Sequence, residues 1–587
     1  MLKTFRDLGK YIGKHRTAFV IATVMILLNG YFSTLIPIIP GRVIDGLGAG
    51  GMTFIDLLAQ VGLLVGVAAI AGASMVITRR LVLGASWDMQ FEIRRDIFEH
   101  FTKLDGGYFD RTRVGDLMAR LTADLNAVRM MIGIGIYQII NITIVFAFTA
   151  YRMYQLSPTL TLITLAAAPV ISLSFFLILR IVHRRYQRVQ EQFSNVSAMA
   201  QENFSGIRVV KGFGMEDREV DKFGDLNNEF VRRNLNLVRI EGPLHPLMEF
   251  LFGLTVSFLL LAGGRLVLGV GGDLTIGEFS SFVFLFEGIQ WPMIALGWIG
   301  SILQRGTTSW RRLKEILENV PEVQDDANTD YSLRSVKGEI EFRNVTLNYS
   351  GRKVLDDVSF KIRAGEALGI TGRTGAGKTL IVNLITRIID PDSGQILVDG
   401  VDHRKYPVEV LRRFIGLVPQ EPFLFSVSIA ENIAYGLPGA PAEELRPRVQ
   451  RAAKLAQLHD ELEEFSRGYE TELGERGVTL SGGQRQRTAI ARALIREPAI
   501  LIFDDALSAV DTQTESRILE GLAEMQEGRT TIVVAHRVSA FQNVDRILVL
   551  DDGRIVEQGT HDELVAQDGW YADVDRRQQL ESDLEAA

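Results

Sequence analysis

The sequence predicts an α-helical membrane domain of six transmembrane helices with long cytoplasmic extensions, followed by an α/β phosphate-loop domain. Three observations predict it. Apolar runs of bilayer-spanning length, about 20 residues, recur before about Arg305 and then stop. Beyond that point short β-type runs alternate with helical stretches. Within the second half, Gly372–Thr379 follows the G-x-x-x-x-G-K-[ST] pattern that cradles phosphates between a strand and a helix. The averages of the 587-residue chain, 47% hydrophobic and 23% charged, conceal this division. The absence of Cys excludes disulfide scaffolds, thiolate metal sites and cysteine nucleophiles. A net charge of -8 offers no basic footprint for nucleic acid, so none is expected as a partner.

Taken in order, residues 1–16 predict an amphipathic surface helix. Leu2, Phe5, Leu8 and Ile12 share one face, and Lys3, Arg6, Lys10 and Lys14 occupy the rest. Six spans follow within a membrane domain over 17–304: Thr17–Ile39, Ile55–Val76, Met131–Arg152, Pro158–Leu179, Pro243–Leu268 and Ile276–Leu303. The connections between spans two and three and between spans four and five are long and rich in Arg and Lys; the other three are short and carry little basic charge. By the positive-inside rule the long connections, both termini and the second domain are cytoplasmic. A multi-pass protein of a bacterial plasma membrane is expected. Each long connection has a Gly-containing break where a short crossing helix fits, Gly106–Gly115 and Gly206–Gly214. A linker over 305–336, the phosphate-loop domain over 337–575 and a tail over 576–587 complete the division. Strands are expected at Glu339–Val345, Ala367–Thr371, Ile415–Pro419, Ile500–Asp504 and Thr531–Ala535.

The phosphate loop reads Gly372, Arg373, Thr374, Gly375, Ala376, Gly377, Lys378, Thr379. Its glycines let backbone N–H groups wrap a polyphosphate, Lys378 reaches the β- and γ-phosphates, and the Thr379 hydroxyl ligates Mg²⁺. A buried strand beside it ends in Asp504 and Asp505, with Asp504 placed to hold Mg²⁺. ATP and Mg²⁺ are the expected cofactors.

Between these sites lies Leu480, Ser481, Gly482, Gly483, Gln484. The sequence LSGGQ resembles the signature of ATP-binding-cassette (ABC) ATPases, and the order of the surrounding elements resembles that family's cassette. The resemblance implies that Tyr349 stacks on adenine and that Gln420 contacts Mg²⁺ and senses the membrane domain. It also implies that Gly474–Gly477 meets the intracellular loops, that Asp511 in Ser508–Asp511 lies in a dimer-spanning loop, and that His536 contacts the γ-phosphate. In the membrane half, Phe109–Asp124, Glu202–Lys211 and Leu274–Glu278 resemble exporter half-transporters.

A half-transporter carries one phosphate loop and one signature, so the resemblance implies a dimer with each ATP between one chain's loop and the other chain's LSGGQ. Typical exporters of the family have Glu as catalytic base directly after the magnesium Asp, where this chain has Asp505. The missing methylene withdraws the carboxylate by about 1.5 Å, against a contact requirement of ~2.6–3.2 Å for a base. A chain with a weak base and an intact signature resembles the degenerate-site half of heterodimeric multidrug exporters. The expected function is therefore an exporter subunit, a translocase with its own loop slow in hydrolysis, that moves amphipathic drug- or lipid-like molecules outward. The alternative is a homodimeric lipid or peptide flippase with Asp505 as its base. Glu249 and Glu287, inside spans five and six, are the substrate-pathway candidates, because ionisable groups at membrane depth are functional by default.

Overall fold

The computed structural model describes residues 2–586 except 271–273, 350, 438–440, 475–476, 478–479 and 507–527. The chain divides into two compact units. One comprises Met1–Thr102 with Val114–Asn319; the other comprises Lys103–Arg113 with Val320–Ala587.

The first unit is helical. Among the described residues five helical stretches are long and apolar enough to cross a membrane: Arg16–Gly48, Phe54–Phe101, Val114–Leu156, Pro158–Ser205 and Glu216–Val267. Between 11% and 28% of each apolar window is buried, so most of this apolar surface faces outward, as in a protein whose solvent is lipid. The sixth expected span falls in the continuous helix Ile276–Leu317, with side chains at 291, 293, 294, 296 and 297 outside the described set. Helix starts carry the expected signals. Thr53 and Thr275 form capping boxes with Asp56 and Glu278, and Ser157 caps a helix whose first residue is Pro158.

Two sequence expectations are corrected here. The N-terminal segment is broken into two pieces, Leu2–Asp7 and Gly9–Lys14. At the break Leu8 is fully buried, and so is Tyr11, which donates to Asp96 (2.8 Å) and meets Trp310 edge-on. Part of the apolar face thus packs on protein. The expected linker at 305–336 also starts too early, because the helix runs on to Leu317. Trp310, Leu313 and Ile316 recur at helical spacing and are buried. The Gly-containing breaks do hold short helices, Gly106–Arg111 and Ile207–Gly212.

The second unit has two sheets. A four-stranded antiparallel sheet runs in the order β2-β1-β4-β5, built from β1 (Ile340–Tyr349), β2 (Arg352–Ile362), β4 (Ser393–Val398) and β5 (Val401–Asp402). A six-stranded sheet runs β10-β9-β3-β8-β7-β6. Its strands are β3 (Ala367–Gly372), β6 (Ile415–Val418), β7 (Ile500–Asp504), β8 (Thr530–Val534), β9 (Arg546–Asp551) and β10 (Arg554–Gly559). All neighbours are parallel except β9 and β10. Strands β3, β7 and β8 are buried throughout, which explains their unbroken apolar runs.

Candidate nucleotide site

The register of the parallel sheet assembles the site. Ile370 of β3 lies opposite Val534 of β8, Val534 opposite Asp504 of β7, and Phe503 opposite Val418 of β6. The phosphate loop after β3, His536 after β8, Asp504 and Asp505 at the end of β7, and Gln420 after β6 therefore all leave one carboxyl edge. That edge is where open α/β sheets bind ligands.

The loop conformation requires glycine. Gly372 (φ 142°) and Gly377 (φ 101°) occupy backbone space that side chains rarely reach. A Cβ at Gly372 would meet the Leu550 carbonyl oxygen at 2.0 Å, and one at Gly377 would meet Leu355 at 2.8 Å. Lys378 is 8% exposed and donates to the carbonyls of Gly372 (2.8 Å) and Arg373 (3.0 Å). Burial holds its ammonium below the usual lysine range, against the pull of Asp505 and Asp504. The Thr379 hydroxyl donates to Asp504 Oδ1 (3.3 Å). Asp504 is 5% exposed, and burial pushes its carboxyl up, opposed by Thr379 and Lys378.

A hydroxyl beside a buried carboxylate that few donors compensate suits a divalent cation that also takes oxygens from phosphate and water. It does not amount to an all-protein cage. Consistently, no cluster of three His, Cys, Asp or Glu fit to hold a metal occurs among the described residues.

Asp505 adopts a left-handed backbone (φ 48°), with its N–H donating to the Val534 carbonyl (2.8 Å). Its Oδ2 accepts from Gln420 Nε2 (3.1 Å). His536 is exposed, and burial of its ring and then the Lys378 charge hold its pKa below the ordinary value, while Asp505 pulls it up.

Other expected site residues lie elsewhere. Leu480–Gln484 opens the helix Gly482–Leu494, where Ser481 is the N-cap: its Oγ accepts from Gln484 N–H (3.2 Å), and its N–H donates to Gln484 Oε1 (2.9 Å). This helix packs in a different apolar cluster from the phosphate-loop helix: Leu480 and Ala489 belong to one, Ala376 and Ile381 to the other. Tyr349 ends β1, 39% exposed, with its hydroxyl 3.3 Å from Asp110 Oδ2. Nothing in the sequence marks that partner, which is 239 residues away. Glu475 and Arg476, and Ser508–Asp511 with Asp511, lie outside the described residues. In the helical unit Glu249 is exposed, 3.9 Å from His245, and Glu287 is exposed too.

Comparison with known proteins agrees with this architecture. Residues 19–293 match the ABC transporter transmembrane region and residues 355–508 the ABC transporter domain. The chain is 34% identical over 589 residues to the multidrug resistance-like ATP-binding protein MdlA of Escherichia coli (strain K12), covering 100% of this chain and 98% of that one. It is 31% identical over 579 residues to an ATP-dependent lipid A-core flippase of Vibrio vulnificus (strain YJ016), covering 98% of each. A solved bacterial Atm1-family ABC exporter with ATP bound superposes with a TM-score of 0.79 at 28% identity, covering 96% of this chain and 98% of that one. The chain belongs to the ABC transporter family and is an ATP-hydrolysing exporter with its membrane region and its ATPase domain in one polypeptide.

Proposed function

We propose that this chain is the degenerate-site half of a two-chain exporter that moves amphipathic drug- or lipid-like molecules out of the cytoplasm through twelve spans, six from each chain. The observation that carries the reading is Asp505, a short carboxylate where hydrolysis calls for a longer one. Its tie to Gln420 and its left-handed backbone hold it close to the sheet edge, which favours slow hydrolysis at this chain's own loop. Binding there is retained: Lys378 and the loop N–H groups hold the phosphates, Thr379 and Asp504 hold Mg²⁺ with Gln420 at its edge, and Tyr349 takes the adenine. His536, kept neutral at pH 7, donates to the γ-phosphate without adding charge. Bound Mg²⁺ supplies charge neutralisation on the phosphate oxygens.

The partner's loop completes the fast site with Ser481 and the Gly482–Leu494 helix N-terminus of this chain, and Asp511 lies in the loop between chains. Phe204, Val209 and Phe213 around the second cytoplasmic break are exposed in the single chain, which supports cover by another chain. Closure of the ATPase domains on ATP then drives the cavity from inward- to outward-facing through the short helices of both breaks. The names of the relatives, a multidrug resistance-like protein and a lipid A-core flippase, support amphipathic cargo. Glu249 and Glu287 on the pathway favour cationic members of that class. Both termini and the ATPase domain are cytoplasmic, in a bacterial plasma membrane.

The test is ATP turnover and oligomer mass of the purified chain against its Asp505→Glu variant. A nearly inactive chain that gains ten-fold or more, about 1.4 kcal/mol of barrier, is expected. Brisk Mg²⁺-dependent turnover by a homodimer of the unaltered chain overturns the degenerate-half reading in favour of a flippase with Asp505 as base.

A further inference from the structure

A cleft of about 450 Å³ opens between the helices Pro158–Ser205 and Glu216–Glu241, lined by Arg185, Arg188, Glu191, Glu229, Arg232 and Arg233, with Asn236. Its size is that of a small-molecule site, about 300–1,000 Å³. Four guanidinium groups face two carboxylates, and the pairing is uneven. Glu229 takes both Arg232 (2.6 Å) and Arg233 (2.8 Å), and those two cations hold its carboxyl below the usual range. Arg233 also donates to the Arg188 carbonyl (2.9 Å), which fixes the spacing of the two helices. No ion pair to Arg185 or Arg188 occurs among the described residues, and Glu191 on the same helix is bridged to neither. Unbalanced arginines gathered around a cavity suit an oxyanion that several planar guanidinium forks grip at once, as phosphate does.

The same helix says where that phosphate comes from. Val170 (57% exposed), Leu173 (58%), Leu177 (50%) and Ile181 (47%) are spaced three, four and four residues apart. Arg185 and Arg188 continue the same face at the next four and three. An exposed apolar stripe along the span therefore runs directly into the basic cleft. At 1.5 Å per residue, Arg185 lies ~9 Å beyond the expected end of span four at Leu179. Side chains tilt toward the helix N-terminus, which here is toward the bilayer, so the Arg185 guanidinium reaches back to headgroup level. One helix face thus joins an acyl-chain track to a phosphate grip.

We propose that this cleft binds the phosphate ester headgroup of an anionic membrane phospholipid, with its acyl chains on Val170, Leu173, Leu177 and Ile181. Basic pockets at the ends of spanning helices are suited to such headgroups. The site lies on the helical unit, apart from the nucleotide loop, and rests on the cytoplasmic orientation proposed above.

The test titrates the delipidated full-length protein in neutral detergent with phosphatidylglycerol, phosphatidylcholine or inorganic phosphate, and reads bound mass by native mass spectrometry. At least five-fold tighter binding of phosphatidylglycerol than phosphatidylcholine is expected. The preference should be lost in Arg185→Gln/Arg188→Gln and strengthened in Glu191→Gln, a gain that misfolding cannot imitate. Equal affinity for the two lipids overturns the proposal. So does displacement of phosphatidylglycerol by millimolar inorganic phosphate, which marks a free-anion site. Loss of the oligomer in the double arginine variant also overturns it, assigning the face to contact between copies. Orientation is read separately by labelling Gln190→Cys, the sole thiol of that variant, from either side of sealed vesicles; labelling from outside the cell would refute the orientation without touching the binding result.

Discussion

The phosphate-loop face and the signature face of the ATPase domain are built to opposite plans. On the first, residues from four parallel strands converge and hold one another: Thr379 on Asp504, Gln420 on Asp505, Lys378 on the loop carbonyls. On the second, Ser481 and Gln484 cap each other, Gln484 reaches Glu461 (3.0 Å), and the helix they open packs in a separate core. The first face is a preorganised site that ATP enters. The second offers a helix N-terminus capped by Ser481 and exposed at Ser481 and Gly482. In the two-chain reading proposed above, the open face is set against a phosphate held by another chain.

The largest effect tests the first face. Lys378→Ala removes the one buried ammonium in the loop, and the affinity of the chain for ATP should fall by about 100-fold, the loss of a charge-assisted contact to phosphate. Binding of a fluorescent ATP analogue to the chain checks it. Retention of a third or more of the affinity would mean that the loop N–H groups alone carry the phosphates, and the faces would differ less than their geometry indicates.

The second face is tested by Ser481→Asp. Aspartate caps a helix as well as serine does, so the unfolding midpoint should change little, within about 0.5 kcal/mol. A carboxylate set against a γ-phosphate is repulsive by several kcal/mol, so ATP turnover of the assembled exporter should drop at least ten-fold. Undiminished turnover would sink the idea that this helix N-terminus meets a phosphate.

Much of the first face is readable in the sequence because its chemistry is local. A strand, a glycine loop and a lysine at the head of a helix occupy consecutive residues, and Asp504 ends a strand too apolar to be anything but buried. What joins those pieces is the sheet register, and no spacing in the chain encodes the Gln420–Asp505 or Tyr349–Asp110 contacts. The helix end at Leu317 shows a different limit. Hydropathy falls at Arg305, while Trp310, Leu313 and Ile316 keep the helical period and bury themselves against protein. The same holds at the N-terminus, where periodicity identifies the apolar face of residues 1–16 but not that Leu8 and Tyr11 are covered by protein.

The smallest effect separates what the first face does from what it costs. Burial raises the Asp504 carboxyl pKa above the ordinary value, so folding favours its neutral form. A raised folded-state value gives stability that is complete below the ordinary carboxylate range and is lost as pH rises through the raised value. Above it, the ionised Asp504 is a net burden that Thr379 and Lys378 only partly offset. Asp504→Asn should therefore raise the stability of the nucleotide-free protein at neutral pH, by roughly 1 kcal/mol for relief of one under-compensated buried group. The advantage should shrink as pH is lowered, because the native carboxyl then neutralises itself, and the same variant should lose the Mg²⁺ dependence of its ATP binding. Thermal unfolding of both proteins across pH, without nucleotide, checks the sign. A less stable variant would mean that Asp504 is held by its neighbours for structure, and the two faces would then differ in packing but not in the strain they store for a ligand.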